Sequence, residues 1–175
     1  MSIDAVHLYP QYSTTTLNSD IALFHFKKDV IMTDYIKPIC LPVTQTDQAL
    51  LHSGNIGVIS GWGARKMNKK KKTRSVRKLH EVEVPIVSQL ACKQNHHKYV
   101  VTPNMFCAGR LNGQADACKG DSGGPLTVEQ KATGRSVLLG IVSWGDKKCG
   151  AKNKYGVYTK VSNYINWIDS HIKLV

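Results

Sequence analysis

Short apolar segments, separated by turns that contain glycine and proline, constrain the fold of this chain more than any other feature. Residues 80–84 alternate polar and apolar side chains, as a half-buried strand does. The predicted strands are residues 21–26, 56–60, 79–84, 105–108, 125–128, 137–143 and 156–161. Only the C-terminus has helical spacing, after a start signal at Ser162 and Asn163, with apolar residues at Val161, Ile165, Ile168 and Ile172. Many short strands and one terminal helix predict an all-β antiparallel barrel or sandwich.

Length and composition indicate one globular domain. The 175 residues fit a single domain, and the apolar fraction of 42% and charged fraction of 21% are those of a folded chain. No apolar run approaches the roughly 20 residues that span a bilayer. The first residues contain neither a basic region nor a long apolar stretch, so the sequence displays no signal peptide.

The net charge of +12 is concentrated in one stretch. Residues 65–78 contain nine basic residues and no acidic one, and the rest of the chain is nearly balanced. Nucleic-acid binding by the whole surface is therefore a poor interpretation. The stretch is typical of a solvated surface loop, and the alternative is a site for an anion or a partner, such as a sulfated polysaccharide like heparin or an acidic protein surface.

Residues 116–125 carry the strongest chemical signal. The sequence Gly-Asp-Ser-Gly-Gly-Pro places Ser122 among glycines, and Cys118 stands two residues before Gly120. A serine hydroxyl becomes an effective nucleophile when a base removes its proton and fixed donors hold the developing oxyanion. The glycines allow a tight turn and let a substrate carbonyl approach main-chain N–H groups. The segment therefore indicates a nucleophilic serine.

Together with this segment, further blocks resemble the chymotrypsin family of serine proteases. These blocks are Asn-Ser-Asp-Ile-Ala-Leu (18–23), Pro-Ile-Cys-Leu-Pro (38–42), Ser-Gly-Trp-Gly (60–63), Met-Phe-Cys-Ala-Gly (105–109), Val-Ser-Trp-Gly (142–145) and Tyr-Gly-Val-Tyr-Thr-Lys-Val (155–161). They follow the family's order along nearly the whole chain. The resemblance implies two six-stranded antiparallel Greek-key barrels and a C-terminal helix, with the first barrel incomplete in this sequence.

The resemblance also implies catalytic roles. Ser122 corresponds to the nucleophile, and the backbone N–H groups of Gly120 and Ser122 correspond to the oxyanion hole. Asp20 corresponds to the carboxylate that orients the catalytic histidine. Asp121 corresponds to the aspartate that pairs with a new N-terminus in activated family members. These residues imply a serine endopeptidase.

Further residues correspond to the primary specificity pocket. Asp116 matches the carboxylate at its base, which implies cleavage after Arg or Lys because an unpaired buried carboxylate is unfavourable. Gly145 and Gly156 match glycines of the pocket wall, and Ser143 and Trp144 match residues that flank the substrate backbone.

Two lysine-bearing segments depart from the pattern of trypsin. Residues 146–148, Asp-Lys-Lys, make the segment before Cys149 about one residue longer, and Lys148 could reach toward Asp116 or repel a basic substrate. Lys119 on the pocket rim should favour acidic residues next to the scissile bond.

The odd number of cysteines suggests an intermolecular bond or a reactive thiol. The resemblance implies disulfides between Cys92 and Cys107 and between Cys118 and Cys149. Cys40 corresponds to the position that bonds to a separate light or regulatory chain. Zinc ligation is a weaker alternative, because the sequence has no Cys-x-x-Cys pair. Disulfides imply an oxidising, extracellular compartment.

Several details resemble the vitamin K-dependent clotting branch of the family, and the lectin-associated complement proteases are the alternative. They include Cys40, the basic stretch after Trp62 and the Lys154–Tyr155 segment. The aromatic Tyr155 implies a pocket that responds to Na⁺, and the branch implies serpin inhibitors as partners.

The catalytic histidine of the family has no counterpart here. It precedes the triad aspartate in family order, yet His7 alone precedes Asp20, and its alignment places it in a surface loop. We therefore interpret residues 1–175 as a partial protease domain, inactive as it stands because Ser122 lacks a base. The alternatives are a protease-like binding protein of the haptoglobin type and a heparin- or nucleic-acid-binding module based on the basic stretch.

Overall fold

The computed structural model of the 175-residue chain describes residues 1–64, 76–96, 99–113, 116–146 and 148–172. Most of the basic stretch (residues 65–75) and Lys147 lie outside these residues. The strands are β1 (Ile3–Leu8), β2 (Ala22–Phe26), β3 (Ile56–Gly61), β4 (His80–Val87), β5 (Met105–Ala108), β6 (Pro125–Gln130), β7 (Arg135–Trp144) and β8 (Gly156–Lys160). The helices are α1 (Gln45–Ala49), α2 (Gln89–Asn95), a 3₁₀ helix (Val161–Tyr164) and α3 (Ile165–Ile172).

Six antiparallel strands close into a barrel in the order β3-β4-β5-β8-β7-β6. Alternate residues of these strands face inward, and Val84, Leu126, Val137 and Leu139 are completely buried there. Closure of the sheet pairs each strand with two neighbours, so the barrel has no exposed strand edge. The predicted all-β antiparallel barrel is confirmed, with each strand end within a few residues of its predicted position.

Where the resemblance implies an incomplete first barrel, the described residues form a two-stranded antiparallel sheet of β1 and β2. Strand β1 was absent from the sequence prediction. Directly opposed residues share one face of such a sheet, so Val6 and Phe24 lie on one face while His7 and Leu23 lie on the other. The face of Leu23 packs against α3, whereas Val6 and Phe24 are exposed.

The prediction that only the C-terminus is helical is wrong, because two short helices cap themselves. The Thr44 hydroxyl accepts a hydrogen bond from the Asp47 backbone N–H at 3.0 Å, and the Thr44 N–H donates to the Asp47 carboxylate. This reciprocal capping box begins α1. The Ser88 hydroxyl accepts from the Ala91 N–H at 3.2 Å and begins α2.

The C-terminal helix is confirmed, but its predicted start signal is not. A 3₁₀ turn follows Lys160 without a side-chain cap, and α3 begins only at Ile165. Val161, Tyr164 and Ile168 are buried against Ile21 at the start of β2. This cluster joins the two-stranded sheet to the barrel. No helix within the described residues is long and apolar enough to cross a membrane.

Candidate active site

Ser122 lies on an exposed turn between Cys118 and β6. Gly120 and Gly123 on either side of it have φ angles of 101° and 79°, in the left-handed region that favours glycine. The Gly123 N–H donates to the Val142 carbonyl at 2.9 Å, which ties the turn to β7. The glycine-rich sequence therefore produces a fixed turn with the serine hydroxyl outward.

The backbone N–H groups of Gly120 and Ser122, which the resemblance assigns to an oxyanion hole, belong to this turn. Within the described part of the chain, neither donates a hydrogen bond to another residue. Their neighbours Asp121 and Gly124 do donate, to the carbonyls of Cys118 and Asp121. The turn thus leaves two donors beside the serine that a substrate oxyanion can accept from.

The Asp121 carboxylate holds this turn in place through hydrogen bonds to the backbone. Its oxygens accept hydrogen bonds from the N–H of Gly63 at 2.8 Å and of Cys118 at 2.9 Å. A Cβ atom at Gly61 or Gly63 would collide with this carboxylate, so the Gly-Trp-Gly block is required for its position. Within the described residues no cationic side chain pairs with Asp121.

A cavity of about 220 Å³ opens beside Ser122, with Asp116 in its wall. It contains every residue that the sequence assigned to the specificity pocket, namely Asp116, Ser143, Trp144, Gly145 and Gly156, and also the rim residues Lys119 and Asp146. The Asp116 carboxylate accepts a hydrogen bond from the Gly150 N–H at 3.0 Å. The disulfide between Cys118 and Cys149 joins the two chain segments that form its walls.

Burial raises the pKa of the Asp116 carboxyl above its usual range. Hydrogen bonds from the backbone of Gly150 and Ala117 oppose this rise, and the negative charge of Asp146 adds to it. Burial likewise raises the pKa of Tyr158, which lines the same cavity and whose hydroxyl is buried without a hydrogen-bond partner in the described residues. A cationic ligand group in this cavity would compensate the desolvated negative charge of the Asp116 carboxylate.

The depth of the cavity depends on Gly156. A Cβ atom there would meet an Asp116 carboxylate oxygen and the Tyr158 hydroxyl, both at 2.9 Å. Even an alanine would therefore fill the space in front of the carboxylate. A Cβ at Gly145 would come no closer than 3.9 Å, to the backbone of Gly156, so this wall is less crowded.

Asp20 lines a second cavity, of about 410 Å³, which Ser122 also lines. Its carboxylate accepts a hydrogen bond from the Ser143 hydroxyl at 2.6 Å, and its carbonyl accepts one from the Thr159 hydroxyl at 2.8 Å. The preceding residue, Ser19, is buried and has a φ of 60°, so the backbone turns sharply into Asp20. Sequence reasoning missed Thr159, because no local pattern marks a hydroxyl that bonds to a carbonyl 139 positions away.

No described histidine lines either cavity or hydrogen-bonds to Ser122 or Asp20. The His7 ring contacts that of His171. His7 lies on the opposite face of β1 from Leu8, and Leu8 lines the second cavity. His25 pairs with Asp4 at 2.7 Å. His7 therefore lies away from both cavities, but its predicted place in a surface loop is wrong, because it is a half-buried residue of strand β1 that packs on α3.

The remaining predicted residues lie at the edges of the site. The structure contains the Cys92–Cys107 and Cys118–Cys149 disulfides, and Cys40 is a free, half-buried thiol beside β7. Tyr155 does not line either cavity. It packs against the cluster around Cys92, and its N–H donates to the Asn95 side chain at 3.2 Å.

The comparison with known proteins agrees with this geometry. The family profile described as Trypsin matches residues 1–168. The chain is 39% identical over 174 residues to Limulus clotting factor C of Carcinoscorpius rotundicauda, which covers 95% of the chain and 17% of that protein. It is 39% identical over 175 residues to Vitamin K-dependent protein C of Oryctolagus cuniculus, which covers 99% of the chain and 37% of that protein. Clotting factor C of Tachypleus tridentatus is 38% identical over 174 residues, and the match covers 95% of the chain and 17% of that protein. The chain thus spans well under half the length of these curated relatives.

Proposed function

Because the chain belongs to the trypsin family of serine proteases, we propose that it forms the catalytic domain of an endopeptidase that cleaves after arginine or lysine. The position of Ser122 carries this proposal. It lines two adjoining cavities, one of which contains Asp116 and the other Asp20. A half-buried carboxylate beside the nucleophile selects a cationic side chain, because an uncompensated charge there is unfavourable.

The chemistry follows from this arrangement. With a cationic side chain opposite Asp116, the scissile carbonyl carbon is presented to the Ser122 hydroxyl. As the C–O bond forms, the hydroxyl proton passes to an imidazole base, and the carbonyl oxygen accepts hydrogen bonds from the Gly120 and Ser122 N–H groups. The base then protonates the leaving amine, and water hydrolyses the acyl-enzyme by the same steps. Asp20, held by Ser143, orients the imidazole.

We place that imidazole on a histidine-bearing segment which these 175 residues do not contain. The second cavity separates Asp20 from Ser122 and supplies the space for it. The chain alone is then inactive, because loss of a triad base lowers the rate by several orders of magnitude. If the complete protein also lacked a base, the second candidate, a non-catalytic protease-like binding protein, would replace this proposal.

The setting that we propose is extracellular and of the clotting type, with the lectin-associated complement proteases as the alternative branch. The printed names of the relatives and the two disulfides support it. Cys40 is proposed to bond to a light or regulatory chain, and residues 65–78 to bind heparin and serpins. Lys119 is proposed to favour acidic residues beside the scissile bond, and Tyr155 to lie near a Na⁺ site.

The first test uses the native protein from its source. Its intact mass, with and without reduction, and its N-terminal sequence determine whether a histidine-bearing segment and a linked chain are present. A fluorophosphonate probe should then label Ser122 in the native protein but not in the full-length Ser122→Ala variant. A peptide panel should be cleaved after Arg or Lys. Cleavage after aromatic or small residues would overturn the specificity, and an unlabelled Ser122 would overturn the enzyme proposal.

A second test uses the 175-residue chain itself. Imidazole from solution should enter the cavity between Asp20 and Ser122 and restore slow cleavage of an Arg-containing ester, by about tenfold or more above the chain without imidazole. The restored rate should rise with pH through about 7, because only neutral imidazole is a base. Ser122→Ala and Asp20→Asn are the controls, and both should abolish the gain. An imidazole effect that survives Ser122→Ala would contradict the proposed nucleophile.

A further inference from the structure

Strand β1 and helix α3 bring together two histidines outside the proposed active site. The imidazole rings of His7 and His171 have centroids 4.7 Å apart and planes inclined by 60°. Both side chains are half-buried, so they are ordered by packing and still reach solvent. We propose that His7 and His171 form a two-histidine site for a divalent transition-metal ion of the Zn²⁺ or Cu²⁺ type.

The spacing of the two rings fits a shared ion. An imidazole nitrogen ligates zinc at roughly 2.0–2.1 Å, which places the ring centroid about 3.2 Å from the metal. Two rings bound to one ion at an angle between a right angle and a tetrahedral one then have centroids about 5 Å apart. The observed 4.7 Å is close to this value.

The hydrogen bond of His171 prepares one of its nitrogens for a metal. Its Nδ1 lies 2.8 Å from the Trp167 carbonyl oxygen, and a carbonyl can only accept. Neutral His171 therefore carries its proton on Nδ1 and a lone pair on Nε2. A backbone carbonyl that fixes the tautomer of a histidine in this way is the usual support of a metal-ligating imidazole.

The electrostatics of α3 also favour a cation here. His171 lies in the last turn of the helix, where the unpaired carbonyl groups carry a partial negative charge. Within the described residues no group of three or more metal-ligating side chains exists. Water would therefore complete the coordination, and the affinity should be modest, with Cu²⁺ bound more tightly than Zn²⁺.

Such an ion would link elements from opposite ends of the chain. His7 lies opposite Leu23 in the sheet, and Leu23 packs in the same cluster as α3. Since the pair exists only in the folded chain, metal binding should raise the melting temperature. The effect does not depend on the proposed protease activity, so the two proposals fail independently.

The test uses the untagged chain with Cys40→Ser as a common background, because a free thiol also binds these metals. His7→Gln and His171→Gln remove one ligand each. His52→Gln is the matched control, since the His52 Nδ1 also lies near a backbone carbonyl, at 3.1 Å, but His52 contacts no other ring in the described residues. Melting temperature is measured with Zn²⁺, and tryptophan fluorescence with Cu²⁺.

We expect Zn²⁺ at about 100 times its dissociation constant to raise the melting temperature by about 5 °C or more in the background chain and in His52→Gln. Cu²⁺ should quench Trp167, whose ring lies 5.0 Å from that of His171. Both responses should disappear in His7→Gln and His171→Gln. Equal responses in all four proteins, or none in the background chain at millimolar metal, would overturn the proposal.

A spectroscopic measurement covers the case in which a variant fails to fold. Electron paramagnetic resonance of the background chain, with one Cu²⁺ bound per chain, should display coupling of the ion to one nitrogen from each of two imidazole rings. Coupling to a single imidazole, or several ions per chain, would contradict the site.

Discussion

At the scale of single residues, two opposed influences act on the pKa of the Asp116 carboxyl. Burial raises its pKa, while the N–H groups of Gly150 and Ala117 stabilise its charged form. A raised pKa in the folded chain means that the folded state holds a proton which the unfolded state has lost. The contribution of Asp116 to stability is therefore complete below its ordinary pKa and is lost as the pH rises through the raised value.

Asp116→Asn should remove this pH dependence. Relative to the unchanged chain, the variant should become more stable as the pH rises from about 4 toward neutrality, because it carries no buried charge. Urea unfolding at a series of pH values measures this difference, and the exposed Asp29→Asn is the control.

Asp116→Asn should also bind benzamidinium about 30-fold or more weakly, since removal of one partner of a buried charge pair costs about 2–5 kcal/mol. In the unchanged chain, benzamidinium affinity should increase as Asp116 ionises, and a pH-independent affinity would contradict the role of this carboxylate.

At the scale of elements, α3 holds the two-stranded sheet against the barrel. Ile168 on its inner face is only 5% exposed and belongs to the cluster with Ile21 and Val161, whereas Ile172 is 58% exposed. Ile168→Ala should reduce the free energy of unfolding by about 2–5 kcal/mol, because it leaves a cavity in this cluster. The matched variant Ile172→Ala should change it by less than about 0.5 kcal/mol. Equal effects in chemical denaturation would mean that α3 does not bear on the stability of the sheet.

The elements also explain what the sequence could predict. The barrel strands alternate apolar and polar residues or are continuously apolar, so their periodicity is strong. Strand β1 exposes apolar Val6 and Leu8 and half-buries His7, the reverse of the usual pattern, and it was missed. Helices α1 and α2 are five and seven residues long, too short for a 3.6-residue period to emerge, and only their caps at Thr44 and Ser88 mark them.

The resemblance assigned the residues that line the two cavities of the candidate site, but it did not predict their spatial relations. The Ser143 hydroxyl and the Asp20 carboxylate are 123 positions apart, and the packing of the segment before β2 against the barrel brings them to 2.6 Å. No local pattern encodes such a pair. The same holds for His7 and His171, which sequence reasoning treated separately and which the packing of α3 on β1 joins.

At the scale of the whole molecule, one face of the two-stranded sheet is apolar and exposed. Val6, Leu8 and Phe24 are 51%, 67% and 58% exposed, and they lie on the side away from α3. The second cavity extends onto this face through Leu8 and Phe24, so it is continuous with the space between Asp20 and Ser122. Contiguous apolar surface of this kind is the signature of an interface and otherwise promotes self-association.

The 175-residue chain should therefore bind an apolar dye and self-associate through this face. The double variant Val6→Thr with Phe24→Ser should lower dye fluorescence and the sedimentation-derived aggregate by about half or more, because it removes the two most central apolar side chains of the face. Val43→Thr is the matched control, since Val43 is also 58% exposed but lies outside the sheet. If the complete protein has the histidine-bearing segment proposed above and this segment covers the same face, dye binding should be absent there. A full-length protein that cleaves Arg peptides yet still binds the dye through Val6 and Phe24 would contradict this prediction. The segment that carries the histidine would then not cover this face, and the histidine would have to reach Ser122 by another route.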